Sequence, residues 1–372
     1  MPPLAIDLLL VLASLALILL AAELFTNGVE WLGAKLKLAE GAVGSVLAAV
    51  GTALPETIIP VAAIIVDVLN GKLFTPEGKA QTIGLGAIVG APFMLGTLAF
   101  FLVGLTYFIT RATKRRTGQF DVDGNVIRSD IQFFLIAFGL GAGAGLLKHY
   151  WAGMPQQLNW LLAAALVFVY LVYLRRVTRA GEVSSMVHLT PLHIGRPIPW
   201  VDERQPNKRT IIIQLVLALG LMFYGAHLFV GHLSSVAQAI GVHPLILALL
   251  IVPIATELPE KFNSVLWVSR GKDTLAMGNI SGAMVFQSTF PITIGLLFLD
   301  WRFAPLDPAF ISACFGLAGA LLVLIGLQRR NEVDPRALLL GGVLYLVFLT
   351  LVVLHITGVI HLAVNYNAVL GH

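Results

Sequence analysis

Long apolar stretches separated by short polar punctuation set the pattern of this chain. Ten of them, roughly 4–34, 40–66, 82–110, 131–148, 158–175, 210–239, 244–268, 274–299, 308–327 and 337–360, are long enough to be membrane helices. A bilayer core about 30 Å thick is spanned by ~20 helical residues, so each run predicts one crossing. The runs are continuous rather than alternating, and too long for the ~10-residue strands of a membrane barrel. The expected fold is an all-α polytopic membrane protein. The first run has Met1, Pro2, Pro3 and Asp7 where a leader peptide carries basic residues, so it reads as a span that is kept.

Composition points to the same solvent. Of the 372 residues 58% are hydrophobic and 12% charged, against ~25% charged in a soluble domain. Disorder and nucleic-acid binding are excluded with solubility, and a disulfide scaffold is excluded because Cys314 is the only cysteine. The net charge of +4 matters less than its placement. With the N-terminus outside, nineteen of the twenty-four Lys and Arg residues fall in inner loops. The positive-inside rule then predicts both termini outside, in a membrane of prokaryotic type, with an inner linker over 176–209. The expected organisation is a first half over 1–175, that linker, and a second half over 210–372. His188 and His193 read as exposed linker residues.

The chain also resembles itself. A shift of 204 residues aligns Glu23-Leu24-Phe25 with His227-Leu228-Phe229, and Thr52-Ala53-Leu54-Pro55-Glu56 with Thr256-Glu257-Leu258-Pro259-Glu260. Further on, a shift of 192 aligns Gly86–Ala91 with Gly278–Ala283, so the first copy carries an insertion in the loop near Asn70–Gln81. Each copy is followed by two plainer spans, which makes two five-helix halves. Because five is odd, the second half enters the membrane from the opposite side. Such inverted repeats are a common plan of secondary transporters, with the site near the midplane.

Glu56 and Glu260 lie inside apolar runs, where a carboxylate costs at least ~2.5 kcal/mol unless it faces a polar cavity. Packing alone rarely selects Glu twice at equivalent places. Pro55 and Pro259 precede them; a proline within a helix frees the carbonyl four residues earlier, here Gly51 and Ala255. Thr52 and Thr256 sit one turn before the glutamates, on the same face. Each copy therefore offers a carboxylate, a hydroxyl and a backbone carbonyl. These are hard oxygen donors, suited to Ca²⁺, Na⁺ or Mg²⁺.

These two runs resemble the repeat signatures of the cation/calcium exchanger superfamily, of the sodium/calcium exchanger type, whose pattern is Gly-Thr-Ser-Leu-Pro-Glu followed one helix later by Gly-Ser-Asn. The resemblance implies alternating-access exchange of Ca²⁺ for Na⁺ or H⁺, with Glu56 and Glu260 as central ligands and no cofactor. The chain departs from the pattern at Gly90-Ala91-Pro92, where polar ligands are missing, and at Gln287, which stands where an acid or amide is expected. It adds Glu257, three residues from Glu260 on one helical face. Crowded carboxylates favour the protonated form, so proton coupling stands as an alternative to sodium. The expected cation site comprises Glu56, Glu260, Thr52, Thr256, Glu257, Gln287 and the carbonyls of Gly51 and Ala255.

Other features have plainer readings. Glu23 and His227 could form a gate or proton relay. Gly86-x-x-x-Gly90 and Gly278-x-x-x-Gly282 predict close helix packing, as does the small-residue face at Gly139–Gly145. His227, His232 and His243 lack zinc-ligand spacing. Asp121-Val-Asp123-Gly-Asn125 is too short for a Ca²⁺ loop and reads as a polar turn. Glu30 and Glu40 are expected to be solvated, and Cys314 to be in the core. No hydrolase or metalloprotease motif is present, so an enzyme is not expected; a passive cation channel is the remaining competitor. Oligomeric state leaves no mark on the sequence.

Overall fold

The computed structural model describes residues 3–35, 54–75, 78–151, 153–179, 190–195, 205–330 and 332–362. Gly51, Thr52, Glu40 and His188 lie outside the described residues, as does most of the 176–209 linker. The described chain is helical and contains no strand. In order, the helices are α1 (Pro3–Lys35), α2 (Leu54–Leu69), α3 (Ala80–Ala112), α4 (Gly124–Tyr150), α5 (Gln156–Arg179), α6 (Lys208–Ala239), α7 (Pro244–Thr256), α8 (Leu258–Ser269), α9 (Asp273–Gln287), α10 (Phe290–Phe298), α11 (Pro308–Arg330) and α12 (Pro335–Ile356). Eight helical stretches are long and apolar enough to cross a membrane, and α7 is a shorter apolar helix. This is an all-α polytopic membrane protein.

Two of the predicted runs are broken. The run at 244–268 becomes α7 and α8, and the run at 274–299 becomes α9 and α10, with Ser288 and Thr289 between them. Proline causes both breaks: Pro259 and Pro291 stand in the first turn of the following helix, where the missing N–H is harmless.

Burial sorts the helices into layers. In α3, 78% of the most apolar window is buried, so this helix is the centre of the bundle. In α1 and α6 the figures are 22% and 33%. These two pack along each other at the edge, and leave Leu8, Leu9, Leu12, Leu20, Ile213 and Val216 exposed for lipid. Asp7 Oδ1 lies 2.8 Å from His232 Nδ1 and links their ends.

Small residues let α3 approach α7 at backbone distance. A Cβ at Gly86 would lie 2.6 Å from the Leu245 carbonyl oxygen, and one at Gly90 2.5 Å from that of Leu249. The predicted close packing is thus made in the first copy. In the second it is not seen: nothing described lies within 4 Å of a Cβ at Gly278, and Gly282 meets only the Tyr173 hydroxyl, at 3.6 Å. By the repeat alignment the partner helix there falls in 40–53, outside the described residues. On the small face of α4, Gly141 packs on Ile292 and Gly145 on Phe303, whereas Gly139 and Gly143 are open. Cys314 is exposed on α11, not in the core, because it falls on the outward phase of the helix between buried Ala313 and half-buried Phe315.

The loop after α3 turns at Asp121–Asn125 as a polar cap: Asp123 accepts from the Asn125 amide at 2.9 Å and starts α4. Asp307 does the same for α11, accepting from the Ala309 amide at 2.8 Å, but it is buried. Burial pushes the Asp307 carboxyl up to about 7 from the ordinary 3.8, with the Ala309 amide partly opposing. Below pH 3.8 folded and unfolded chains both hold this proton and nothing is lost. As pH rises toward about 7 only the unfolded chain releases it, so stability falls, and the loss is complete above that value. Asp307→Asn keeps an acceptor oxygen without the charge. It is expected to raise the Tm in detergent by about 2–5 °C at pH near 8 and to leave it unchanged near pH 4. Equal melting of both chains near pH 8 would remove the cost assigned here.

Candidate cation site

The second acidic motif opens a helix: α8 starts at Leu258, which puts Pro259-Glu260 in its first turn. There the partial positive charge of the helix N-terminus favours a carboxylate. In the first copy Pro55 and Glu56 lie on α2, whose described residues begin at Leu54. The sequence reading placed Pro259 inside a continuous helix. Instead, α7 ends at Thr256, and Glu257 (φ −87°, ψ 9°) joins it to α8. Pro259 has no N–H for the Ala255 carbonyl; the Glu257 amide at the joint points to the Ala255 and Pro253 carbonyls, 3.2 Å from the latter.

The side chains around this break are almost completely withdrawn from the surface. Glu56 is 1% exposed, Glu260 3%, and Glu257 and Thr256 not at all; Gln287, at the end of α9, is 1% exposed. Glu56 faces Glu260 and Glu257 as like charges, and Thr256 lies beside it, so groups from both halves of the chain meet. Both Glu56 oxygens and Oε1 of Gln287 have no hydrogen-bond partner among the described residues. The Thr256 hydroxyl gives its proton to the Val252 carbonyl at 3.0 Å, leaving its lone pairs toward the site. Gln287 stands beside Glu257. The cluster is rich in acceptors and poor in donors, an arrangement that is costly in a dry interior without a cation or protons to neutralise it.

Lys261 is the cation that the cluster does contain. Its ammonium lies 2.9 Å from Glu257 Oε2 and donates to the Pro253 carbonyl at 2.9 Å, bridging the break between α7 and α8. Asn279 of α9 reaches the Glu260 carbonyl and Ser264, each at 3.3 Å, and braces α8 from the other side. Among the described residues no three His, Cys, Asp or Glu side chains are close enough to hold a resident metal. Glu56 and Glu260, expected as a metal pair, are electrostatic neighbours at this break. Like charges in low dielectric hold apart unless a cation draws them together.

Glu23 and His227 do not meet. The Glu23 side chain is 70% exposed and faces His193 of the linker at 3.3 Å, while His227 is exposed on α6. The short segment 190–195, expected to be free, docks on α1 and α6. Trp31 donates to the Thr190 carbonyl at 2.9 Å, the His193 amide to Asn27 at 3.0 Å, and the Ile194 amide to Gln214 at 2.8 Å. His243 caps α7, accepting from the Leu245 amide at 3.3 Å.

Sequence reasoning missed Asp130, which is buried on α4 and accepts from the Ser281 hydroxyl at 2.6 Å. Asp130 sits one residue before the apolar run at 131–148, so hydropathy placed it at the interface; the helix in fact begins at Gly124. Its only available signal was its pairing with the hydroxyl in the second repeat motif.

Discontinuous helices that bring buried carboxylates from two related halves to one place define a transporter of cations. The family model "Sodium/calcium exchanger protein" matches residues 6–179 and 210–358. The chain belongs to this family of membrane antiporters, which are not enzymes. It is 24% identical over 351 residues to the putative antiporter CaxA of Alkalimonas amylolytica, covering 91% of this chain and 97% of that protein. It is 22% identical over 265 residues to the inner membrane protein YrbG of Escherichia coli K12, covering 71% of each. In fold it resembles the H⁺/Ca²⁺ exchanger CAX, with TM-score 0.66 and 16% identity over 93% of this chain and 82% of that one. It also resembles the sodium-calcium exchanger NCX_Mj, with TM-score 0.54 and 18% identity over 93% and 99%.

Proposed function

We propose that this chain exchanges Ca²⁺ for monovalent cations across a membrane by alternating access. The observation that carries this reading is the meeting of Glu56, Glu257 and Glu260 around a helix break, with both Glu56 oxygens unpartnered at 1% exposure. Glu56 and Glu260 supply carboxylate ligands, Thr256 and Gln287 neutral oxygens, and Glu257 a further charge. Gly51, Thr52 and the Ala255 carbonyl are assigned to the same ligand set by the repeat. A charged empty cavity resists closing in a dry bilayer, while a loaded one is neutral and crosses; this is the basis of coupling. Both termini are placed outside by the distribution of Lys and Arg.

Sodium is the counter-ion that the family pattern implies. Two observations favour protons as a second reading. The first copy carries Ala91 and Pro92 where neutral ligands are expected, and Lys261 fills space beside Glu257. Na⁺ requires several oxygen ligands, whereas a proton requires one carboxylate oxygen. Radiolabelled Ca²⁺ uptake into proteoliposomes, under an imposed Na⁺ gradient or an imposed pH gradient, decides between them. Uptake driven by one gradient names the counter-ion; uptake indifferent to both would identify a passive channel and end the exchange reading.

A further inference from the structure

Lys261 stands at the same break as the acidic cluster, and neither the repeat nor the exchange reading accounts for it. It is 7% exposed, ion-paired to Glu257 and bonded to the Pro253 carbonyl. Its ammonium therefore takes one carboxylate and one backbone carbonyl as ligands. Those are the groups that a bare monovalent cation would seek at a broken helix. A lysine ammonium is also a compact point charge on a flexible stem, so it can sit where such an ion would sit.

We propose that Lys261 is a tethered monovalent cation that occupies one ion position permanently and thereby sets the coupling ratio. This rests on the exchange reading above. When ionised, Glu56, Glu257 and Glu260 together carry three negative charges, and Lys261 cancels one of them. The remaining two are matched by one Ca²⁺ or by two monovalent ions. The loaded site is then neutral in both halves of the cycle, and exchange moves no net charge.

The ratio is read from the equilibrium distribution of Ca²⁺ in proteoliposomes whose membrane potential is clamped by K⁺ and valinomycin. For the wild-type chain, a tenfold gradient of the counter-ion is expected to hold about a 100-fold Ca²⁺ gradient in the same direction, independent of potential. In Lys261→Gln a third monovalent ion takes the vacated position. The same gradient should then hold about a 1,000-fold Ca²⁺ gradient at zero potential, and each 59 mV of imposed potential should shift it about tenfold. Lys261→Arg, which keeps the charge, should keep the ratio of two, and the double variant Glu257→Gln with Lys261→Gln, which restores the sum, should return the ratio to two at a reduced rate. A wild-type ratio of three, a wild-type distribution that follows potential, or an unchanged ratio in Lys261→Gln would each overturn the assignment while leaving exchange intact. Absence of any gradient-driven Ca²⁺ movement by the wild-type chain overturns the exchange reading instead.

Discussion

Glu56→Gln and Glu260→Gln are each expected to lower gradient-driven Ca²⁺ uptake by at least about 100-fold. Glutamine preserves shape and one acceptor oxygen but removes the charge. Breaking one partner of a buried ionic contact costs about 3–5 kcal/mol, equivalent to about 150- to 5,000-fold in affinity for the partner. Neither variant should lose the fold, since removing one of three crowded carboxylates relieves repulsion; the Tm in detergent should hold or rise. Loss of transport together with retained melting is the expected pair of results. Wild-type uptake rates in both variants would sink the placement of the ion between these residues.

The second large effect concerns the loop after α3. Arg116, in the loop after α3, is held by Asp273 at the start of α9 through both carboxylate oxygens, at 2.6 Å for Nη1 to Oδ1. The guanidinium also donates to the Val268 carbonyl at 3.1 Å and lies 4.9 Å from the Tyr107 ring centroid, and the Asp121 amide donates to Asp273 at 2.9 Å. Both partners are buried. Asp273→Ala leaves this largely buried guanidinium without its counter-charge, at a cost of about 3–5 kcal/mol. A Tm drop of about 10 °C is expected. Replacing both residues, as Arg116→Met with Asp273→Leu, should recover most of it, because a pair of apolar groups needs no solvation. A single variant that melts within about 2 °C of the wild type would show the pair to be dispensable.

The fold was legible wherever the bilayer dictates it. Apolar run length gave the crossings, and the repeated Pro-Glu pairs gave Glu56 and Glu260, because a costly residue at equivalent places in two copies demands a common cause. What was hidden depended on three-dimensional neighbours. Lys261 has no equivalent in the first copy, where Thr57 follows Glu56, so self-comparison could not flag it. The break at Glu257 required knowing that Pro259 starts a new helix and does not bend an old one. Glu23 aligned with His227 in the repeat, but alignment gives equivalence and not contact; the two helical faces turn outward, and the linker supplies His193 instead. Asp130 was lost by one residue of helix boundary, because periodicity locates helix interiors better than their ends.

The docked segment at 190–195 has a mechanical consequence. Gln214 of α6 donates to the Leu24 carbonyl at 2.8 Å and to Asn27 at 2.9 Å, and the segment ties Trp31 and Asn27 on one side to Gln214 on the other. Pulling the first rod away from the second would rupture this yoke and strand the buried Asn27 and Gln214 amides without their partners. The two outer rods are consequently harnessed as a single shuttle, and whatever stroke one makes the other must share.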